Sequence, residues 1–175
     1  MSLQFVVKEH NASRLHYDFR LEMNGVLRSW AISKGPTMDP SQRRLAVLVE
    51  DHNLAYINFE GIILQGYGAG EVVIWDRGTY DLKKVRKNEI FFFLNGEKLK
   101  GNFALVQFRG KGNENRWLLT KEKDQYASPG WKLQTVLTPE KKEELRTKYS
   151  AKGRRKSKDQ GASRSMTQLP LFANL

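Results

Sequence analysis

His10-Asn-Ala-Ser-Arg-Leu-His16-Tyr-Asp18-Phe-Arg20-Leu-Glu22-Met23 is the stretch on which the fold turns. From His16 onward it alternates. His16, Asp18, Arg20 and Glu22 share one parity and Leu15, Tyr17, Phe19 and Leu21 the other, the period of a half-buried strand. The apolar face anchors the strand in a core, and the polar face sets an imidazole, a carboxylate and a guanidinium in a row. Such a row is costly to cover unless a metal or an anion lies beside it. His10 reaches the same place if Asn11-Ala12-Ser13 turns. The residue types therefore point to a divalent metal held by His10, His16 and Asp18, with Arg20 aimed at a phosphate. The plainer reading is an amphipathic edge strand with a polar outer face, the ordinary pattern of antiparallel sheets. Against it, all three histidines of the chain, His10, His16 and His52, fall in its first third.

Working outward, Asn24-Gly25 is a hairpin dipeptide that returns the chain through Val26–Ile32 as a second strand. Ser33-Lys34-Gly-Pro-Thr-Met-Asp-Pro40 is a loop by its Gly and Pro content, and Lys34 in it is either a phosphate contact or simply solvated. Arg44–His52 reads as a strand apolar enough in the middle to be buried on both faces. If it stays regular, Arg44 and His52 point to one side. The glycines of Phe59–Gly70 resemble a nucleotide-binding loop only weakly, because no Gly-Lys-Ser/Thr follows and the next segment is a strand. Glu71–Asp76, Tyr80–Val85, Glu89–Leu94, Gly101–Arg109 and Arg116–Lys121 read as further strands, with turns at Arg77-Gly-Thr79 and Asn95-Gly96. Turn signals recur about every 8–12 residues and no long helical period appears, which predicts an all-β, mainly antiparallel, compact barrel.

The 175 residues divide into a β-barrel domain over 1–138, a short helix over 139–150 opened by Thr138-Pro139-Glu140, and a basic disordered linker over 151–175. No cysteine is present, so disulfides and Cys-ligated metal sites are excluded. No apolar run approaches the roughly 18 residues of a membrane span, and the expectation is a cytoplasmic, nucleoid-associated monomer. A formal charge of +11 favours a polyanionic partner, nucleic acid before membrane, although Glu140–Arg164 carries ten Lys/Arg against four Asp/Glu and so holds much of it.

Phe5–Glu22, Ser29–Pro36, Arg44–His52, Tyr67-Gly-Ala-Gly70 and Trp75–Thr79 together resemble the 3′-phosphoesterase domain of bacterial DNA ligase D, over about Phe5 to Trp131. The resemblance implies a β-barrel enzyme that uses Mn2+ to trim 3′ ends in DNA end joining. It implies removal of a terminal ribonucleoside to leave a 3′-phosphate, then removal of that phosphate. Carried onto matching positions, His10, His16 and Asp18 bind the metal, while His52, Arg20, Arg44 and Lys34 surround the scissile phosphate and Tyr56 lies beside them. The general base is left open between water on the metal and His52. Partners implied are primer–template DNA with a 3′ ribonucleotide or phosphate, a DNA ligase, an end-joining polymerase, or a sliding clamp. Family members carry an N-terminal arm of the type Lys-Arg-Asp-Phe-x-x-Thr-x-Glu-Pro. This sequence opens almost at its first strand, and the phosphatase step is the one expected to suffer. The glycine loop is also one residue shorter than the family's and lacks its Pro and Glu.

Gln168-Leu169-Pro170-Leu171-Phe172 resembles the pentapeptide by which bacterial repair proteins dock on the sliding clamp; folding back onto its own domain is the alternative. From another class of function comes a non-catalytic nucleic-acid-binding barrel recruited through this tail. A cyclic phosphoesterase with paired His-x-Ser/Thr motifs is excluded, because Ala12, Asp18 and Leu54 stand two residues after the three histidines.

Overall fold

The structure, a computed structural model, describes residues 2–66 and 68–159. Nine strands follow one another: β1 Leu3–Asn11, β2 Leu15–Met23, β3 Val26–Ile32, β4 Arg44–Asn53, β5 Gly61–Ile63, β6 Gly70–Arg86, β7 Glu89–Gly96, β8 Lys100–Gln107 and β9 Arg116–Lys121. A 3-10 helix at Leu54–Asn58 follows β4, and α1 spans Pro139–Asp159. All pairings are antiparallel. The sheet runs β1-β2-β3-β4-β9-β8-β7-β6 and closes where β6 pairs back onto β1, while β5 adds to the start of β6. The expected barrel is therefore present, and no sheet edge is left between its first and last strands.

The β2–β3 hairpin turns as the sequence dictates, with Asn24 at φ 51° and Gly25 at φ 81°, the twist-matched geometry of two-residue hairpins. Along β2 the odd residues Tyr17, Phe19 and Leu21 enter the barrel, where they join Phe5, Trp30, Trp75, Phe92, Phe103 and Trp117 in one core. Phe19 and Phe103 flank Phe92 at 5.9 and 6.1 Å between ring centroids.

Two readings are corrected and one strand is added. The strand added is β1, which precedes the alternation that starts at His16. It lies in the centre of the closure, with His10 opposite His16 on β2 and opposite Val72 on β6. β4 is not buried on both faces. Only Ala46 is buried in it, and Leu45, Val47 and Val49 are 37–40% exposed, because a barrel covers a strand from the inside alone. Arg77-Gly78-Thr79 is no turn. β6 runs through it while exchanging partners, with Gly78 opposite both Phe5 and Gly96. A Cβ at Gly78 would lie 2.0 Å from the Asn95 carbonyl oxygen, so only glycine lets the strands meet there.

The segment after β9 is tied to the barrel by a buried carboxylate. Glu9, facing inward on β1, accepts hydrogen bonds from Tyr17 Oη at 2.7 Å, the Val136 amide at 3.1 Å and the Leu137 amide at 2.5 Å. Leu137 and Leu145 then pack against Val73, which seats α1 on the barrel. The helix starts at Pro139 behind the Thr138 cap and continues to Asp159, nine residues past the expected end at residue 150. Apart from Gly153, that extension is made of residues tolerated in helices, and its cations suit the negative end of the helix dipole. The tail residues Gln168, Leu169, Leu171 and Phe172 lie outside the described residues. Glu9→Gln is expected to set an amide N–H₂ against the Val136 and Leu137 N–H groups and to cost about 2 kcal/mol. A melting temperature lowered by about 4–8 °C would show it. An unchanged melting curve would mean that the segment is held by packing alone.

Candidate metal and phosphate site

Even residues of β1 and β2 face outward, and the sequence would leave them to solvent. Instead, Lys8, His10, Asp18 and Arg20 are all buried. The cover comes from the 3-10 helix and from the glycine-rich segment before β6. Lys8 Nζ donates to the Tyr56 carbonyl, and the Gly68 carbonyl accepts from His10 Nε2 at 2.7 Å.

Because β1 and β2 place His10 opposite His16, and Asp18 is two residues further on the same face, three donors converge. His10 Nδ1 lies 3.1 Å from Asp18 Oδ2, and His16 Nε2 lies 3.2 Å from Asp18 Oδ1. One ligand atom from each residue fits within 4.8 Å of the others. The remaining ring nitrogens are occupied by backbone: His10 Nε2 donates to Gly68 O and His16 Nδ1 donates to Arg14 O at 3.1 Å. Each carbonyl holds the outer nitrogen of its ring, so the nitrogen facing Asp18 is the one available to a metal, the arrangement that orients histidine ligands. The donor set therefore fits a divalent ion that accepts nitrogen and oxygen ligands.

The electrostatics follow from the same contacts. Burial pushes the Asp18 carboxyl up, but hydrogen bonds from His10 and His16 and the charge of Arg20 outweigh it and hold the group well below the usual carboxylate range. His16 is raised, chiefly by its hydrogen bond to Asp18. Arg20 extends the site toward β3 and β4. Its Nη2 lies 3.4 Å from Asp18, while Nη1 donates to Ser29 Oγ at 2.8 Å and approaches His52 Nδ1 at 2.9 Å. Its Nε has no partner among the described residues.

His52 Nδ1 is also 2.9 Å from the Glu50 carbonyl oxygen. A guanidinium only donates and a carbonyl only accepts, so Nδ1 serves Arg20 with a lone pair or Glu50 with its proton, one in each tautomer. Burial, then the Arg20 charge, lowers the His52 pKa from its ordinary value. The imidazole is thus held neutral.

Not every proposed phosphate ligand arrives. β4 carries an extra residue between Val49, opposite Ser29, and His52, opposite Leu27, so the parity of Arg44 and His52 is broken. His52 joins the outer face with Arg20. Arg44 has the parity of the buried Ala46, and it donates through Nε to Gly35 O at 3.1 Å and through Nη2 to Gln42 at 3.1 Å. Lys34 is exposed, with no bond to the cluster. Tyr56 is half-buried on the 3-10 helix, its ring against Phe59.

Sequence reasoning passed over Lys8 and Ser29. Lys8 has the parity of His10, the signal that could have found it. Its ammonium is 5.6 Å from the centre of the Phe59 ring. Burial first, then Arg20, push its pKa down from 10.5 to about 8, against the pull of Asp18 and Glu60. In the unfolded chain this amine keeps its proton to about 10.4. Between the two values the unfolded state binds more protons, so the Lys8 contribution makes stability rise with pH, by at most about 3 kcal/mol. Denaturant unfolding of the metal-free protein at pH 8 and pH 10 should show this rise relative to Lys8→Met. Equal pH slopes for the two proteins would show that Lys8 is not desolvated.

Comparison with known proteins adds the following. A family model described as the DNA Ligase D 3′-phosphoesterase domain matches residues 8–107. The chain is 50% identical over 128 residues to the multifunctional non-homologous end joining protein LigD of Pseudomonas aeruginosa, covering 70% of this chain and 15% of that protein. It is 45% identical over 134 residues to the LigD protein of Mycolicibacterium smegmatis, covering 70% and 17%. Against the non-homologous end joining DNA repair protein LigD of Mycobacterium tuberculosis the identity is 46% over 126 residues, covering 69% and 16%. The chain thus spans 15–17% of the length of these relatives.

Proposed function

The chain belongs to the DNA ligase D 3′-phosphoesterase family, and from that premise we propose that it is a manganese-dependent enzyme that processes nucleic-acid 3′ ends in end-joining repair. The observation that carries the reading is the convergence of His10 Nδ1, His16 Nε2 and Asp18, with the two outer ring nitrogens fastened to backbone carbonyls. A bound Mn2+ supplies Lewis acidity at a phosphoryl oxygen. The chain's own groups do the rest. Arg20, fixed by Asp18 and Ser29, offers donors to a phosphate whose charge grows as the bond breaks, and the neutral His52 stands beside it.

In the first step water adds to the phosphorus and the bond to the 5′ oxygen of a terminal ribonucleoside breaks. The nucleoside leaves with a 5′-hydroxyl, and the primer keeps a 3′-phosphate. In the second step water replaces the 3′ oxygen, giving a 3′-hydroxyl and inorganic phosphate. Arg44 and Lys34 keep a role only if substrate draws them in, since neither bonds to the cluster.

The deciding experiment incubates the protein and Mn2+ with a 5′-labelled primer–template that ends in one ribonucleotide. Expected is stepwise shortening to the 3′-phosphate and then the 3′-hydroxyl, abolished by chelator. A protein that binds this substrate and leaves it intact at every metal concentration is instead the non-catalytic barrel.

A further inference from the structure

The two segments that cover the cluster also border it. Tyr56 on the 3-10 helix accepts from Lys8 Nζ, Gly68 before β6 accepts from His10 Nε2, and Phe59, β5 and Leu64 lie between them in the chain. Large apolar side chains of this border nevertheless face water. Phe59 is 37% exposed and Leu64 61%, and Leu15, next to His16, is 40% exposed. Phe59 is the only exposed phenylalanine among the described residues. A buried row of charges edged by exposed apolar groups matches the two-part character of a nucleotide, with phosphate at one end and base at the other.

Backbone on both sides holds the Phe59 ring in place. The Phe59 amide donates at 3.1 Å to the same Tyr56 carbonyl that accepts from Lys8, and Glu60 Oε1, one residue on, accepts from the Ile74 amide of β6 at 2.8 Å. Lys8 is the cross-strand partner of Asp18, and its ammonium lies 5.6 Å from the centre of the ring. A single side chain therefore links the ring to a proposed metal ligand. Tyr56 meets the ring edge-on, at 6.2 Å between centroids and 72° between planes. Gly61 keeps another approach clear, because a Cβ there would lie in contact with the ring, 3.4 Å from Cζ. Cover for Lys8 accounts for the side of the ring toward the ammonium. It does not account for the exposed part.

We infer that Phe59 is the platform on which the base of the terminal ribonucleoside stacks, the nucleoside that leaves in the first step. The inference rests on the phosphoesterase reading and adds to it a subsite for the leaving group. A terminal base has a stacked neighbour on one side only, so it moves onto a protein ring at less cost than any base behind it. Stacking on an aromatic ring accepts every base, so the platform holds nucleosides without choosing among them. Recognition of phosphate alone gives the ring no use.

The test compares the full chain with Phe59→Leu, which keeps apolar bulk against Lys8, and with Phe59→Trp, which keeps a ring. The substrates are 5′-fluorescein-labelled primer–templates that end either in one mispaired ribonucleotide or, at the same position, in a 1-deoxyribose that lacks the base. On the ribonucleotide end, Phe59→Leu should raise KM about five- to tenfold with a much smaller change in kcat, and should weaken binding by fluorescence anisotropy by the same factor. Phe59→Trp should restore both. On the baseless end, Phe59→Leu and the unmodified protein should bind and react alike. An unchanged KM and affinity in Phe59→Leu on the ribonucleotide end would overturn the inference. So would an equal loss on the two ends, which would make the ring a cover for Lys8 and nothing more. If the unmodified protein cleaves neither end, the phosphoesterase reading falls, while anisotropy on the two ends still decides the role of the ring.

Discussion

Asp18→Asn is expected to cut manganese-dependent turnover by at least about 1000-fold and to weaken Mn2+ binding by about 100-fold, with the barrel intact. The change keeps the shape of the side chain and removes one oxygen and the charge. Both oxygens are in use: Oδ2 faces His10 Nδ1 at 3.1 Å and Arg20 Nη2 at 3.4 Å, and Oδ1 faces His16 Nε2 at 3.2 Å. An amide presents N–H₂ on one of those sides, where it ties up a histidine nitrogen or meets the guanidinium. Metal loses an anionic ligand and Arg20 loses its counter-charge in a buried setting. Linkage gives the pH sign. The folded carboxyl is held below its unfolded value of about 3.9, so its contribution to stability is present above that value and is lost as pH falls through the folded one. Electron paramagnetic resonance titration of Mn2+ reads the affinity, and the primer assay reads the turnover. Binding and turnover equal to the unmodified protein's would remove His10, His16 and Asp18 as a metal site.

What the sequence disclosed and what it withheld follow from range. Alternation along His16–Met23 reports on one strand, and a dipeptide such as Asn24-Gly25 reports on one turn, so β2, β3 and their hairpin were legible. The grouping of His10, His16 and Asp18 was legible too, because a single turn joins the two strands that carry them. Closure was not, since β1 owes its place to β6, sixty residues away. Nor was the burial of Lys8 and Arg20, whose parity alone predicts solvent. They are covered by a 3-10 helix and a glycine-rich segment that no pattern in the sequence places over them. Arg44 shows the sharpest failure. Counting parity from Arg44 to His52 assumes a regular strand, and one extra residue in β4 puts the two on opposite faces.

That same extra residue sets up the second large effect. It turns His52 toward Arg20, so one guanidinium joins Asp18 on β2, Ser29 on β3 and His52 on β4. Arg20→Lys keeps the charge but not the fork. An ammonium is a single point and cannot serve three strands at once. Expected is a fall in kcat of about 100–1000-fold, or about 3–4 kcal/mol in the barrier. Mn2+ affinity should stay within about threefold, since the ligand atoms are untouched. Separation of the two readouts distinguishes Arg20 from the metal ligands, whose loss lowers both. His52 then loses its Arg20 contact at Nδ1, so part of the loss comes from an imidazole less firmly held beside the phosphate. Single-turnover rates under saturating Mn2+ test this directly. A kcat within threefold of the unmodified enzyme's would show that the fork across β2, β3 and β4 braces the fold and plays no part at the phosphate.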